Sequence, residues 1–219
     1  MNKLESGNIQ LERKHFNLLE LLHNTNEITR MQANESGVNY YVEDGEIIHT
    51  QLVGSPVHFQ QILMNIGSNA VKYNHDGGSA TVTCREVSYT DTTAEYELTC
   101  TDTGIGMSEE FQERAFEPFA QEGQSARTKY AGTGLGLAIA RKLTELQGGT
   151  LFFESIQGKG TKFILHISFE ISAEEQEKKS HMYQNCSVEG IQVLLVEDNE
   201  LNMDCLLYTS PSPRDISGS

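Results

Sequence analysis

The stretch VHFQQILMNIGSNAVKY at residues 57–73 decides how this chain is interpreted. Its apolar residues recur at helical spacing, and Ser55-Pro56 just before it is typical of a helix start, so we predict an amphipathic helix here. One narrow polar stripe, at about 100° per residue, runs along this helix beside the apolar face and is formed by Gln61, Asn65, Asn69 and Lys72.

The polar stripe has the chemistry of a site for phosphate and a hard cation. An asparagine side-chain oxygen is a suitable ligand for magnesium, which otherwise keeps waters and phosphate oxygens. A lysine one turn further along the helix meets phosphate charge. Taken alone, the stripe is explained equally well as the solvated face of a helix.

A second polar motif, D-T-G-I-G at residues 102–106, follows a predicted strand. A carboxylate fixed at the end of a strand can accept a hydrogen bond from an exocyclic amine and so select adenine over guanine. Gly104 and Gly106 allow close approach of the backbone. The alternative is a plain tight turn, which a single motif of this kind does not exclude.

The third motif, G-T-G-L-G-L at residues 132–137, runs directly into a predicted helix that ends near residue 146. Backbone N–H groups at a helix start form a natural cradle for phosphate. A lone G-x-G-x-G pattern is weak evidence, and the order of the three motifs along the chain is what carries weight.

Together with F-E-P-F at residues 116–119, the motifs resemble the N, G1, F and G2 boxes of histidine kinase catalytic domains, a branch of the GHKL ATPases. The resemblance spans residues 16–171. It implies an α/β fold, a two-layer α+β sandwich of the GHKL (Bergerat) type in which helices cover one face of a mixed sheet. It implies ATP and Mg²⁺ as cofactors, bound between the helix at residues 57–73 and the glycine loops.

The resemblance also assigns roles to individual residues. Catalytic roles fall to Asn65, Asn69 and Lys72, with Asn69 as the magnesium ligand and Asn65 supporting it. Nucleotide contacts are expected from Asn69, Lys72, Tyr73, Asp102, Gly104, Gly106, Gly132, Thr133, Gly134, Leu135, Gly136 and Thr161. The polar loop 120–131 resembles the family's ATP lid, with Arg127 and Lys129 closing on the phosphates; an ordinary surface loop is the alternative.

The expected activity is transfer of the ATP γ-phosphate to a protein histidine. Related chaperone and topoisomerase ATPases carry a glutamate general base at the position of Asn65, so activation of water is disfavoured here. A neutral histidine is already a competent nucleophile and needs positioning and charge neutralisation. The alternatives are a regulatory ATP-binding module without kinase activity and another GHKL enzyme, such as an anti-sigma serine kinase.

None of the seven histidines lies in the sequence context of a phosphoacceptor. Residues 2–11, NKLESGNIQL, resemble the end of a dimerisation and phosphoacceptor helix, so residues 1–12 are interpreted as its remnant. We expect the acceptor upstream of residue 1, the fragment inactive without it, and the parent a homodimer through those helices.

The C-terminal part is divided by composition. Residues 13–172 are the expected catalytic domain and residues 173–189 a polar linker. The segment VLLVEDNELNM at residues 193–203 resembles a receiver start, with Glu197 and Asp198 in its acidic pocket; an edge strand with an acidic turn is the alternative. The resemblance therefore implies that residues 190–204 are the start of a truncated receiver in a hybrid parent, and we expect residues 205–219 to be a tail that is not native.

Composition narrows the class of protein further. With 16 Lys plus Arg against 31 Asp plus Glu and a net charge of −15, the chain should repel nucleic acid. The four cysteines show no C-x-x-C pair, which favours buried thiols in a reducing compartment. No apolar run approaches the roughly 18 residues of a spanning helix. We therefore expect this piece to be cytoplasmic, whether or not a longer parent protein is anchored in a membrane.

Periodicity predicts the remaining elements. We expect a helix at 16–31, two short strands at 38–42 and 47–52 around a turn, antiparallel hairpins at 80–87 with 94–101 and at 150–155 with 161–169, and a short helix from residue 108.

Overall fold

A computed structural model describes residues 10–122 and 133–173, without the side chain of Asp44. The strands in these ranges are β1 (Lys14–Asn17), β2 (Asn39–Asp44), β3 (Gln51–Gly54), β4 (Ser79–Tyr89), β5 (Thr93–Asp102), β6 (Thr150–Ile156) and β7 (Gly160–Ile171). The helices are α1 (Leu18–Glu35), α2 (Pro56–Lys72), α3 (Glu109–Gln112) and α4 (Gly136–Leu146). Residues 1–9, 123–132 and 174–219, on which the predictions of a helix remnant, a lid and a receiver fall, lie outside the described part.

The seven described strands form one mixed sheet in the order β1-β3-β7-β5-β4-β2, and β6 pairs with β7 beside this path. Strands β2 and β4 run parallel, whereas the other pairs are antiparallel. Both predicted hairpins are confirmed, as β4 with β5 and β6 with β7.

Helix α2 forms where the sequence predicts it, with Pro56 in the first turn. Phe59 and Ile62 are fully buried on its inner face. A Cβ built on Gly67 would lie 3.1 Å from the side chain of Thr29, so this glycine lets α1 and α2 pack closely. The polar stripe of α2 is thereby fixed beside the core.

The helices cover one face of the sheet, as the expected sandwich requires. Leu98 and Cys100 of β5 and Leu165 of β7 are buried beneath the helices, and the side chains between them point to the other face. On that other face, Glu97 accepts from Arg85 and lies 2.9 Å from His166. The hydrogen bond from His166, followed by that from Arg85, lowers the pKa of Glu97.

The predicted strand at 47–52 is wrong in its first four residues, because residues 45–50 form an irregular segment and β3 begins at Gln51. The carboxylate of Glu86 explains the difference. It accepts from the backbone N–H groups of Ile48 and His49 and also pairs with the buried His49 ring. The Glu86 side chain therefore pairs two N–H groups of this segment, and the Glu46 carbonyl accepts from the backbone N–H of Glu86, so these groups are bonded without a regular strand ladder.

Two smaller predictions also need correction. Strands β2 and β3 do not pair with each other around a turn, since β2 pairs with β4 and β3 with β1 and β7. The predicted helix at 16–31 begins at Leu18, because residues 14–17 pair with β3 and Asn17 caps the helix by accepting from Glu20 N–H.

Cys84 and Cys100 are buried free thiols, in agreement with the expectation for these two residues. Burial raises the pKa of each to about 12, which keeps both protonated and unreactive. Across residues 10–122 and 133–173, the helices are too short or too polar to cross a bilayer.

Candidate functional site

A cavity of about 240 Å³ opens between the end of α2, the end of β5 and the start of α4. The residues predicted from the sequence that line it are Asn69, Lys72, Tyr73, Asp102, Gly106, Thr133, Gly134, Gly136 and Thr161. The three motifs lie far apart along the chain, and the fold brings all of them to one place.

Asp102 lies at the base of this cavity with 8% of its surface exposed. Its Oδ1 accepts from the N–H groups of Gly104, at 2.8 Å, and Thr161, at 3.3 Å. Its Oδ2 has no hydrogen-bond partner within the described ranges. Burial raises the pKa of Asp102 to about 6, although the two backbone hydrogen bonds act in the opposite direction. One carboxylate oxygen is thus fixed, and the other is left to accept from a ligand.

Two glycines permit the tight packing behind Asp102. Gly106 has φ +61°, and a Cβ there would lie 2.1 Å from the carbonyl oxygen of Ile156. Gly160 has φ +112°, and a Cβ there would lie 1.9 Å from the carbonyl oxygen of Asp102. The turn between β6 and β7 therefore packs directly against the end of β5, which carries Asp102.

The end of α2 forms the second wall. Asn69 and Lys72 line the cavity, and the Lys72 ammonium lies 4.8 Å from the centre of the Tyr73 ring and donates to its hydroxyl at 3.3 Å. The Tyr73 carbonyl accepts from Ile105 N–H at 3.0 Å, which ties the helix end to the D-T-G-I-G loop. An amide and a cation therefore face the carboxylate across one cavity.

Helix α4 begins at this cavity without a capping side chain or an acidic residue in its first turn. Thr133, Gly134 and Gly136 line the cavity here. The carbonyl of Gly134 accepts from Phe119 N–H at 2.9 Å, which links the F-E-P-F segment to the glycine loop. The N–H groups of a first helical turn are unsatisfied within the helix and are suited to bind an anion.

Three predicted residues do not line the cavity: Asn65, Gly104 and Leu135. Asn65 Oδ1 accepts from Gln61 at 3.3 Å, while its buried Nδ2 lacks a partner among the residues that the structure describes. Gly104 contributes through its bond to Asp102, and Leu135 immediately precedes α4. Arg127, Lys129 and Gly132 fall in 123–132, outside the described residues.

Sequence patterns missed most of the apolar wall of the cavity, which is formed by Ile105, Met107, Phe111, Ala115, Leu137 and Phe163. Ile105 and Leu137 belong to two of the quoted motifs and Phe163 to a predicted strand, but none of the six was assigned to the site, and Met107, Phe111 and Ala115 belong to no motif. Gln121 and Glu122 were also missed. Glu122 accepts from Ser108 N–H at 2.8 Å and so fixes the segment that follows Phe119.

The family described as histidine kinase-, DNA gyrase B- and HSP90-like ATPase matches residues 54–171. The chain is 35% identical over 173 residues to histidine protein kinase 1 of Candida albicans, and the aligned region covers 76% of this chain and 7% of that protein. It is 32% identical over 203 residues to the autoinducer 2 sensor kinase/phosphatase LuxQ of Vibrio vulnificus, and this alignment covers 92% of the chain and 24% of LuxQ. The chain therefore spans about a quarter or less of the length of these relatives.

A solved structure of full-length ShkA in complex with AMPPNP superposes with a TM-score of 0.61 at 26% identity, covering 76% of this chain and 33% of that one. The expected mixed α/β sandwich is thus confirmed. Since the family match covers more than half of the chain and contains the whole glycine-rich cavity, this protein belongs to the histidine kinase-, DNA gyrase B- and HSP90-like ATPase family and carries the ATP-binding domain of a histidine kinase.

Proposed function

We propose that this chain is the catalytic part of a protein-histidine kinase, which binds ATP with magnesium and delivers the γ-phosphate to a histidine on an acceptor helix. The observation that carries this proposal is the convergence of three groups on one cavity. These are the Asp102 carboxylate with an available oxygen, the Asn69 and Lys72 side chains, and the uncapped start of α4.

The Asp102 end of the cavity is suited to adenine. Oδ2 accepts a hydrogen bond from an exocyclic amine, whereas the carbonyl of guanine offers no donor at that position. Met107, Phe111 and Phe163 provide an apolar surface for the base, and Tyr73 adds an aromatic ring to the same lining. Base recognition therefore uses one polar contact within a largely apolar pocket.

The opposite wall is suited to the phosphates. Lys72 and the N–H groups of the first turn of α4 attract negative charge. Asn69 offers a neutral oxygen ligand, so magnesium would be held by Asn69 and phosphate oxygens and would neutralise phosphate charge when bound. We assign Arg127 and Lys129 to closure over the phosphates and Asn65 to support of Asn69.

The proposed step breaks the bond between the γ-phosphorus and its bridging oxygen, so ADP leaves. A bond forms between that phosphorus and an imidazole nitrogen, and the imidazole releases its other proton to solvent. The residues of this chain position the phosphate and stabilise charge. Asn65 stands where related ATPases carry a glutamate base, so hydrolysis by water should be slow.

The proposed partners are a phosphoacceptor helix and a receiver domain, in cis in a dimeric hybrid parent or in trans. This proposal includes a longer parent, in line with the relatives, of whose length the chain spans about a quarter or less. The proposed location is the cytoplasm, where ATP is available. Residues 13–172 are the proposed catalytic domain. The proposed flanking segments are the helix remnant at 1–12, the linker at 173–189, the receiver start at 190–204 and the tail at 205–219.

The test has a binding arm and a transfer arm, both on the full chain. Calorimetry with magnesium and AMPPNP compares the wild type with Asn69→Ala and Asp102→Asn; we expect binding by the wild type and a loss of tenfold or more in each variant. For transfer, γ-labelled ATP is mixed with the acceptor-helix domain of a related histidine kinase and with its His→Ala variant.

We expect acid-labile, base-stable label on the acceptor domain and none on the variant. Binding without transfer would support the second candidate, a regulatory ATP-binding module, and would overturn the kinase proposal. Rapid release of phosphate to water would instead identify an ATPase of another branch. Absence of binding by the wild type would contradict the nucleotide site itself.

A further inference from the structure

Asn74 directly follows the predicted nucleotide residues Lys72 and Tyr73 but belongs to none of the sequence motifs. It is polar and yet 6% exposed. A buried amide needs partners for both its donor and its acceptor groups. The partners of Asn74 include sequence neighbours of Asn69 and Asp102, which line opposite walls of the nucleotide cavity.

The Nδ2 group of Asn74 joins the last turn of α2 to the start of β4. It donates to the carbonyl of Ala70, at 3.1 Å, and to that of Ser79, at 2.8 Å. Ala70 is the residue after Asn69, so the first bond fixes the part of the helix that carries Asn69 and Lys72. Ser79 begins the strand that lies beside the end of β5.

The Oδ1 atom of Asn74 reaches the other wall. It accepts from His75 N–H, at 3.0 Å, and from the Thr103 hydroxyl, at 3.4 Å. Thr103 is next to Asp102 and is held in turn by Ser79, through bonds of 3.0 Å between Thr103 N and Ser79 O and 2.9 Å between Ser79 N and Thr103 Oγ1. One side chain thus bonds to the neighbours of both Asn69 and Asp102.

We propose that Asn74 is a positioning residue that fixes the distance between the phosphate wall on α2 and the adenine-reading carboxylate of Asp102. This inference rests on the proposed nucleotide function. A ligand that must contact both walls at once depends on their alignment, whereas a ligand that contacts one wall does not. Asn74 therefore matters most for nucleotides long enough to span the cavity.

Calorimetry on the full chain tests this with two ligands, AMP and magnesium-AMPPNP, against wild type and Asn74→Ala. We expect the AMPPNP affinity to fall about tenfold and the AMP affinity to change by less than about threefold. A residue that only stabilises the fold would lower the binding-competent fraction, and so the two apparent affinities would fall by the same factor.

Asn39→Ala is the matched control. The Asn39 side chain donates to the carbonyls of Gly77 and Gly78, so it holds the same turn between α2 and β4 without touching α2 or Thr103. We expect both affinities of this variant to match wild type. A loss of AMPPNP affinity equal to that of Asn74→Ala would show that rigidity of the turn suffices, and would overturn the proposal.

A second variant keeps the test decisive if Asn74→Ala does not fold. Asn74→Asp is nearly isosteric and keeps the acceptor for His75 and Thr103, but it loses both donated bonds to Ala70 and Ser79. It should lower the ratio of AMPPNP to AMP affinity, while an unchanged ratio in a folded variant overturns the proposal. If wild type binds neither ligand, the nucleotide function itself has failed, and that result is distinct from an unchanged ratio.

Discussion

At the scale of single residues, the environment of Asp102 couples nucleotide binding to pH. Burial raises its pKa from 3.8 to about 6, so the native protein holds this proton more tightly than the unfolded chain does. Ionisation of Asp102 therefore opposes folding above about pH 6, and this cost disappears as the pH falls. Ligand binding has the opposite requirement, because only the ionised group leaves Oδ2 purely an acceptor.

We predict that AMPPNP affinity is constant above about pH 7 and falls as the pH drops through 6. At pH 5 about a tenth of Asp102 is ionised, so the affinity should be about tenfold lower than its plateau. Calorimetry between pH 5 and pH 8 measures this, with Asp102→Asn as the control that cancels titration of the ligand phosphates. Identical pH profiles for the two proteins would contradict a role for the ionised carboxylate.

Gly160 and Gly158 offer a matched pair of substitutions within one turn. Both have positive φ, at +112° and +78°, but a Cβ on Gly160 would collide with the carbonyl of Asp102, whereas one on Gly158 meets nothing within 4 Å. We predict that Gly160→Ala lowers nucleotide affinity at least tenfold because the end of β5 must move. Gly158→Ala should cost about 1 kcal/mol of stability and leave the affinity unchanged.

Unfolding in urea and calorimetry check the two glycine variants side by side. Equal nucleotide affinities of Gly160→Ala and Gly158→Ala would mean that the turn between β6 and β7 can shift without displacing Asp102. The outcome therefore measures how rigidly the carboxylate is held from behind.

At the scale of elements, Glu86 of β4 organises the segment that leads into β3. Glu86→Ala removes the acceptor of the Ile48 and His49 N–H groups and a partner of the buried His49 ring. We predict a loss of about 3 kcal/mol in the free energy of unfolding, because three bonds to one buried carboxylate are lost together. Urea denaturation measures the loss.

Glu95→Ala is the control for this element, since its bond from Ser88 lies on the exposed part of the same hairpin. Its effect should stay within about 0.5 kcal/mol. AMPPNP affinity should match wild type in both variants, because Glu86 lies at the end of the sheet opposite to Asp102. Comparable stability of the two variants would show that the irregular segment needs no buried acceptor.

The helices and strands also show which features the periodicity of apolar residues predicts and which it does not. Helix α2 and both hairpins follow from near-neighbour patterns, namely the 3.6-residue and two-residue spacing of apolar side chains. Residues 47–50 are predicted as part of a strand by the same criterion. Two of their N–H groups are nevertheless bonded by the Glu86 side chain, which lies 37 residues from His49 along the chain, and no local pattern encodes that contact.

At the scale of the whole molecule, a bound nucleotide should stabilise the fold. Binding to the native state alone adds about 2.7 kcal/mol at a ligand concentration 100 times its Kd. We predict that magnesium-AMPPNP raises the melting temperature of wild type, and that Asn69→Ala abolishes the part of the rise that depends on magnesium. Thermal unfolding with and without a chelator measures both parts.

Asn24→Ala provides the same substitution on the exposed side of α1, away from the cavity. It should keep the full magnesium-dependent rise. If Asn69→Ala also kept it, Asn69 would not be a magnesium ligand, and the metal assignment from the sequence would be wrong.

The family, the helix that carries Asn69 and Lys72, the strand end that carries Asp102 and the glycine loop before α4 are all predictable from the amino-acid sequence. These features are encoded in short motifs whose residues act through nearby backbone. The composition of the apolar wall of the cavity, the route of residues 45–50, the raised pKa of Asp102 and the bonds of Asn74 are visible only in the folded chain. They depend on burial and on hydrogen bonds between residues far apart in the chain, such as Asp102 and Thr161, and these contacts form only when the strands pair and the helices pack on the sheet.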